Sequence, residues 1–267
     1  MKLLKISALV AASLVGAANA AVVHNSEIVG NVIYGGGNTD GGWTINQTGN
    51  MELALRAKVR YDTVTNGPKN VFNANGDGTF SHAVGNPGGG NAGRGRWNFE
   101  WSVNTDVSGT GGQKLSAYEF ILGVDSNAGY GTTWHSYSLV GNAPVTGAPY
   151  DHSFGNNSTA QGGGVEPTSP ANFLALLAGN SLMQNSTNME FVDDSILFPT
   201  NFNPNVDGNY SFFLEARDQT GGLIGRTDIT VIVGNGAPVP VPEPGSLALV
   251  GLALAGVASS RVRKSQR

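Results

Sequence analysis

The chain has 267 residues, of which 40% are hydrophobic and 13% charged, and its formal net charge is −4. It is long enough to bury a sizeable core, and length alone suggests one domain of roughly 200 residues. The absence of cysteine excludes a disulfide scaffold, a Cys-type zinc site and a cysteine nucleophile, and the lack of a basic excess argues against nucleic acid as a partner.

Residues 1–20 read as a secretory signal peptide. Lys2 and Lys5 form its charged start, and Ile6 to Ala18 is a short run of mostly apolar and small residues. Ala18-Asn19-Ala20 is an A-x-A cleavage site, so the mature chain is expected to begin at Ala21. The run is short for a spanning helix, which needs about 20 apolar residues.

From residue 21 to 234 the pattern is that of β-strands. Met51, Leu53, Leu55, Ala57, Val59 and Tyr61 alternate with Glu52, Arg56, Lys58, Arg60 and Asp62, the period-2 signature of a half-buried strand. Trp97, Phe99, Trp101 and Val103 alternate with Asn98, Glu100, Ser102 and Asn104, and Tyr118, Phe120, Leu122 and Val124 repeat the pattern. Gly/Asn/Asp clusters such as Gly35–Asn38, Asn75–Gly78 and Pro87–Asn91 separate these windows and supply turn conformations. Residues 142–168 hold few large apolar residues and read as a long loop or insertion.

One short helix is expected next. Ser169 can cap it, Pro170 sits in its first turn, Gly179 follows it, and Phe173, Leu174, Leu176 and Leu177 supply its apolar side. Two further strands follow, around Tyr210–Ala216 and Ile229–Val233, and form a hairpin about Asp218–Gly222. The expected fold is therefore all-β: an antiparallel β-sandwich of roughly nine strands, Ig-like or jelly-roll-like, with one short helix.

The C-terminus changes character three times. Residues 235–244 alternate proline, which fixes φ and removes an N–H donor, so this linker is expected to be extended. Residues 245–260 are apolar and small, with Leu247 to Ala258 made only of Leu, Ala, Val and Gly. Arg261, Arg263, Lys264 and Arg267 then form a basic stop-transfer tail over 261–267. Twelve helical residues rise about 18 Å against a hydrocarbon core of about 30 Å. Such a transmembrane helix is a marginal anchor, which suits a temporary one.

The Val241-Pro-Glu-Pro-Gly-Ser246 stretch, the apolar run and the basic end together resemble the PEP-CTERM sorting signal of Gram-negative bacteria. The resemblance implies recognition by an exosortase, a membrane peptidase of the transpeptidase type. Pro242, Glu243 and Pro244 would be read as substrate and not act as catalysts. It also implies an inner-membrane precursor that is released to the cell surface or an extracellular polysaccharide matrix. Removal of both ends leaves residues 21–242 with nine Lys/Arg and eighteen Asp/Glu, a net charge of −9.

Chemistry is sparse between the two signals. His24, His82, His135 and His152 lack metal-ligand spacing and read as surface or loop residues. Asp151-His152-Ser153 holds the residue types of a triad, but neighbours on a strand point apart. Glu100, Glu119, Asp125, Glu190 and Glu215 are the carboxylates available for glycoside hydrolysis, and most occupy outward strand positions where solvation is expected. Asn73-x-Asn75-x-Asp77-Gly78 and Asn203-x-Asn205-x-Asp207-Gly208 have calcium-like spacing. Val84 and Leu214 stand where a twelfth-position acid would be, and the alternative is a plain turn.

Arg56, Lys58 and Arg60 form a cationic stripe, and Arg94 and Arg96 lie near Trp97 and Trp101. These read as a solvated strand face and core tryptophans, or as a site for anionic exopolysaccharide. Trp43 and Trp134 are the rings expected to be exposed. The expectation is a non-enzymatic structural or adhesive surface protein with no cofactor, metal site or catalytic residue. The alternative is a carbohydrate-binding module of the biofilm matrix, with weak structural calcium.

Overall fold

The computed structural model describes residues 21–140, 152–193 and 202–238. Ala18, Ala20 and the rest of 1–20 lie outside the described residues, as does the tail with Pro242, Glu243, Pro244, Arg261, Arg263, Lys264 and Arg267. Ala21 is the first described residue and is exposed. Among the described residues no helix is long and apolar enough to cross a membrane.

The structure is mostly β. In chain order the strands are β1 (Val23–Ser26), β2 (Trp43–Thr48), β3 (Met51–Val59), β4 (Thr79–His82), β5 (Trp97–Asn104), β6 (Glu119–Asp125), β7 (Trp134–Ser138), β8 (Ser153–Gly155), β9 (Leu182–Thr187), β10 (Gly208–Arg217) and β11 (Leu223–Val233). Helix α1 spans Pro170–Gly179, and a second helix, α2, spans Met189–Asp193. The first sheet has the order β1-β2-β3-β5-β9-β8 and the second β4-β11-β10-β6-β7. Strands β10 and β11 of the second sheet pack on β2 and β3 of the first.

The period-2 windows predict the inner faces correctly. Met51, Leu53, Leu55 and Ala57 of β3, Trp97, Phe99, Trp101 and Val103 of β5, Phe120, Leu122 and Val124 of β6 and Tyr210, Phe212, Leu214 and Ala216 of β10 enter one core. The β10–β11 hairpin forms in the expected place, with Gly208 paired to Val233 and Ala216 to Gly225. Ser169 caps α1 by accepting the Asn172 N–H, and Pro170 opens the helix.

Three expectations are corrected. The second sheet is mixed, because β4 runs parallel to β11, with Thr79 opposite Thr230 and His82 opposite Val233. The chain turns at Gly78, whose carbonyl accepts the Thr230 N–H, and then follows β11, covering an edge that would otherwise be open. Residues within 142–168 are not all loop: β8 joins the first sheet against β9. Helix α2 is a single short turn-like element after β9, too short to leave a helical period in the sequence.

The outer face of the first sheet departs most from the half-buried pattern. The connection between β1 and β2, residues 27–42, folds back across it. Ile28, Val32 and Tyr34 of this segment form a second apolar cluster with Trp43, Ile45 and Ala54. Polar pairs tie it down: Gln184 Oε1 accepts the Ile33 N–H at 2.8 Å, and Gln184 Nε2 donates to the Asn31 carbonyl at 3.0 Å.

Candidate functional site

Beneath the 27–42 segment lies an enclosed ionic cluster. Arg56 Nε donates to Glu100 Oε2 at 2.6 Å, and neither side chain is exposed to solvent. The remaining guanidinium donors reach the Thr39 and Gly41 carbonyls at 3.0 and 2.7 Å and the Tyr34 hydroxyl at 3.0 Å. The guanidinium carbon lies 4.1 Å from the Trp43 ring centroid and 4.4 Å from that of Phe72. Lys58 Nζ approaches Glu100 Oε1 at 3.5 Å and donates to Asn38. Trp43 donates its indole N–H to Asp40 Oδ1 at 2.8 Å.

The electrostatics follow from burial opposed by these partners. Burial would raise Glu100, but the Arg56 and Lys58 charges outweigh it and hold the carboxyl below its ordinary value. Burial would lower Arg56, but Glu100 holds it above. Lys58 lies below its ordinary value, because its burial is only partly offset by Glu100. Burial, reinforced by Glu100, drives the Tyr34 hydroxyl well up. The Arg56–Glu100 pair is thus held charged, surrounded by protein partners and closed to solvent. The solvated stripe expected at Arg56 and Lys58 is corrected, and so is the exposed ring expected at Trp43, which is fully buried. The cause in each case is coverage by the 27–42 segment.

The carboxylates do not converge. Glu100 is inside the cluster, and Asp125, buried, accepts the Asn127 and Thr133 N–H groups at 3.0 and 2.8 Å. Glu215, also buried, accepts from Arg217 and Arg226 at 2.7 and 2.8 Å. Glu190 sits on α2 and pairs with Arg94 at 2.6 Å. Of the five, only Glu119 is exposed as outward placement predicts. His82 is corrected from surface to core, where burial lowers its pKa to about 4. Among the described residues, His82 Nε2 and Trp97 Nε1 have no hydrogen-bond partner. His152 lies edge-on to Trp101 at 5.0 Å between centroids.

The calcium-like loops are built as turns. Asp77 Oδ1 accepts the Thr79 N–H and hydroxyl at 2.9 and 2.6 Å, and Asn75 donates to Thr79 at 2.8 Å. Asn203 Oδ1 accepts the Asn205 N–H at 3.0 Å, and Asp207 Oδ2 accepts from Asn235 at 2.7 Å. These oxygens are thereby used within their own loop or a neighbouring one.

The second sheet leaves an open outer face. Trp134 of edge strand β7 is 40% exposed and meets the Phe213 ring edge-on at 5.0 Å. Arg226 lies over Phe213 at 4.1 Å and is held by Asp228 and Glu215. Phe213 can lie flat because its neighbour across the strands is Gly123, where a Cβ would come within 2.0 Å of the ring. This face joins one exposed indole to rows of charged and hydroxyl groups. Trp134 was legible in the sequence. Phe213 and Arg226 were missed, although the Phe212-Phe213 doublet marks a strand with apolar groups on both faces.

The last described residues are tied back to the fold. Ala237 N–H donates to Asn209 Oδ1 at 3.2 Å, and the Gly234 N–H to the His82 carbonyl at 3.0 Å. Two residues beyond Pro238, residues 240–264 match the family model of the PEP-CTERM protein-sorting motif. No curated protein matches the chain. The match shows that the chain carries a sorting signal. That signal is the PEP-CTERM motif, which implies processing by an exosortase and arrival at the cell surface.

Proposed function

We propose that this protein is a non-enzymatic structural or adhesive component of the cell surface or exopolysaccharide matrix. Its folded part is a β-sandwich of the Ig-like or jelly-roll-like kind. It is held in the inner membrane as a precursor by the apolar helix 245–260 and the basic tail 261–267, and an exosortase then releases it. The observation that carries the reading is the sorting motif starting two residues after the last described residue of a two-sheet β-fold. Support comes from the commitment of Glu100, Asp125, Glu190 and Glu215 to ion pairs and turns.

Intact-mass and C-terminal peptide mapping of the native protein, in separated membrane and matrix fractions, tests this reading. A matrix form that begins at Ala21 and ends near Pro242–Pro244 is expected. A protein retained in the membrane with Arg261 to Arg267 intact would overturn it.

A second reading is favoured by the Trp134–Phe213–Arg226 row: a carbohydrate-binding face, in which the indole stacks on a sugar ring and the charged rows bind hydroxyls. Saturable binding to polysaccharide from the producing cells, lost in Trp134→Ala with unchanged thermal stability, is its expected signature. Wild-type protein that shows no saturation excludes it.

A further inference from the structure

The loops at the tail-bearing end of the fold form one connected surface. Asn209, which holds Ala237, donates its N–H to the Ala128 carbonyl at 3.1 Å. Gly85 N–H donates to the Pro204 carbonyl at 2.6 Å, and Arg96 bridges the Asp62 and Asn86 carbonyls at 3.0 and 2.9 Å. Arg94 joins Tyr61 at 2.9 Å to Glu190 on α2. The loops before β4, β5, β7 and β10, together with α2, therefore meet around the point where the chain leaves toward its sorting motif.

This end carries an unusual share of exposed apolar groups. Of the twelve large apolar side chains exposed among the described residues, seven belong to it: Val64, Val71, Val84, Tyr130, Trp134, Phe191 and Val206. They include every exposed aromatic ring of that set, with Tyr130 70% and Phe191 50% exposed. Isolated exposed apolar residues are ordinary, but their gathering at one end, with all the rings, is not.

We infer that this end docks on the lipid headgroup surface while the precursor is membrane-held. The inference rests on the membrane-held precursor proposed above. Leu247, the first residue of the apolar run, lies nine positions beyond Pro238, with eight residues between. Even fully extended they reach only about 30 Å. The end is thus confined near the bilayer at an effective concentration in the millimolar range, where weak contacts suffice. Tyr and Trp favour the membrane interface because one part of each ring system is apolar and another binds water. Lys69 pairs with Asp62 and Arg94 with Glu190, and Arg96 is bound to the Asp62 and Asn86 carbonyls, so the docking is assigned to the apolar groups and not to anionic lipid. Seated this way, the domain presents Pro242–Pro244 close to the bilayer, where a membrane peptidase works.

The tryptophans supply the test. Trp43, Trp97 and Trp101 are buried, the tail holds no tryptophan, and Trp134 is the one exposed indole. The full chain is reconstituted into phosphatidylcholine vesicles with acyl chains brominated near the headgroup, and its emission is compared with that in unbrominated vesicles. The expected result is a loss of emission in the brominated vesicles that is absent in Trp134→Phe, with lower acrylamide quenching than for the detergent-free released form. Co-flotation of protein with vesicles is measured in the same samples. Failure to float overturns the membrane-held precursor itself. Flotation with Trp134 unquenched by bromine and open to acrylamide overturns the docking alone. Protection from acrylamide only when exosortase-bearing membranes are supplied also overturns it, and assigns the surface to the enzyme.

Discussion

Arg56 and Glu100 form an ion pair across neighbouring strands β3 and β5, 2.6 Å from Nε to Oε2, with both side chains wholly enclosed. A buried pair is weak support for stability when compared with apolar replacements, but breaking it by removing one partner is costly. Glu100→Gln leaves Arg56 and Lys58 facing each other without an anion, and is expected to destabilise the processed protein by about 3–5 kcal/mol. Arg56→Met combined with Glu100→Leu is expected to recover most of that loss, since apolar side chains of similar size can replace a buried ion pair at little cost. Urea denaturation of the three proteins checks both statements. A loss below about 1 kcal/mol for Glu100→Gln would mean a solvated pair.

That pair also marks where local pattern stops informing. The inner faces of β3, β5 and β10 were legible because alternation is set by the strand itself. The outer residues Glu52, Arg56 and Lys58 read as solvated because nothing nearby in sequence covers them. Their cover, residues 27–42, approaches from the other side of β2 and is held by partners as remote as Gln184. Trp43 was misread for the same reason. Its Gly/Thr/Asn-rich surroundings suggested an exposed loop, and the segment before it instead closes over the sheet. The parallel pairing of β4 with β11 joins residues 151 positions apart, a distance at which no periodic signal operates. The sorting motif was legible because its signal is linear, whereas the clustering of Tyr130, Trp134 and Phe191 exists only in the fold.

Gly123 and Phe213 face each other across β6 and β10, and the ring occupies the space a Cβ would take. Gly123→Ala must push the ring away from Arg226 and Trp134, which is expected to cost about 1–3 kcal/mol. The cost is tied to one ring, so Gly123→Ala made in a Phe213→Ala background is expected to be nearly neutral. A double-mutant cycle on the processed protein measures this coupling. Equal costs in both backgrounds would show that glycine is needed there for another reason.

Two buried groups give the protein opposed pH dependences. Burial raises Glu52 from 4.5 to about 7, against the opposing hydrogen bond from Val29 N–H. Between those values the folded state holds a proton that the unfolded state has lost, so stability falls as pH rises from 4.5 to 7. Burial lowers His82 from 6.5 to about 4. There the unfolded state holds the extra proton, so stability climbs as pH rises from 4 to 6.5. Each shift corresponds to at most about 3 kcal/mol, and the two nearly cancel across their shared window. The processed protein is therefore expected to show almost constant stability between pH 4.5 and 6.5. The depressed carboxyl of Glu100 acts on the acid side of this window. Glu52→Gln keeps an acceptor for Val29 and leaves His82 unopposed, so its stability is expected to rise by about 3 kcal/mol over that range. His82→Phe leaves Glu52 unopposed, and its stability is expected to fall toward pH 7 by a similar amount. Unfolding free energies in urea at half-unit pH intervals distinguish these slopes. Parallel profiles for all three proteins would show that neither group titrates abnormally in the folded state.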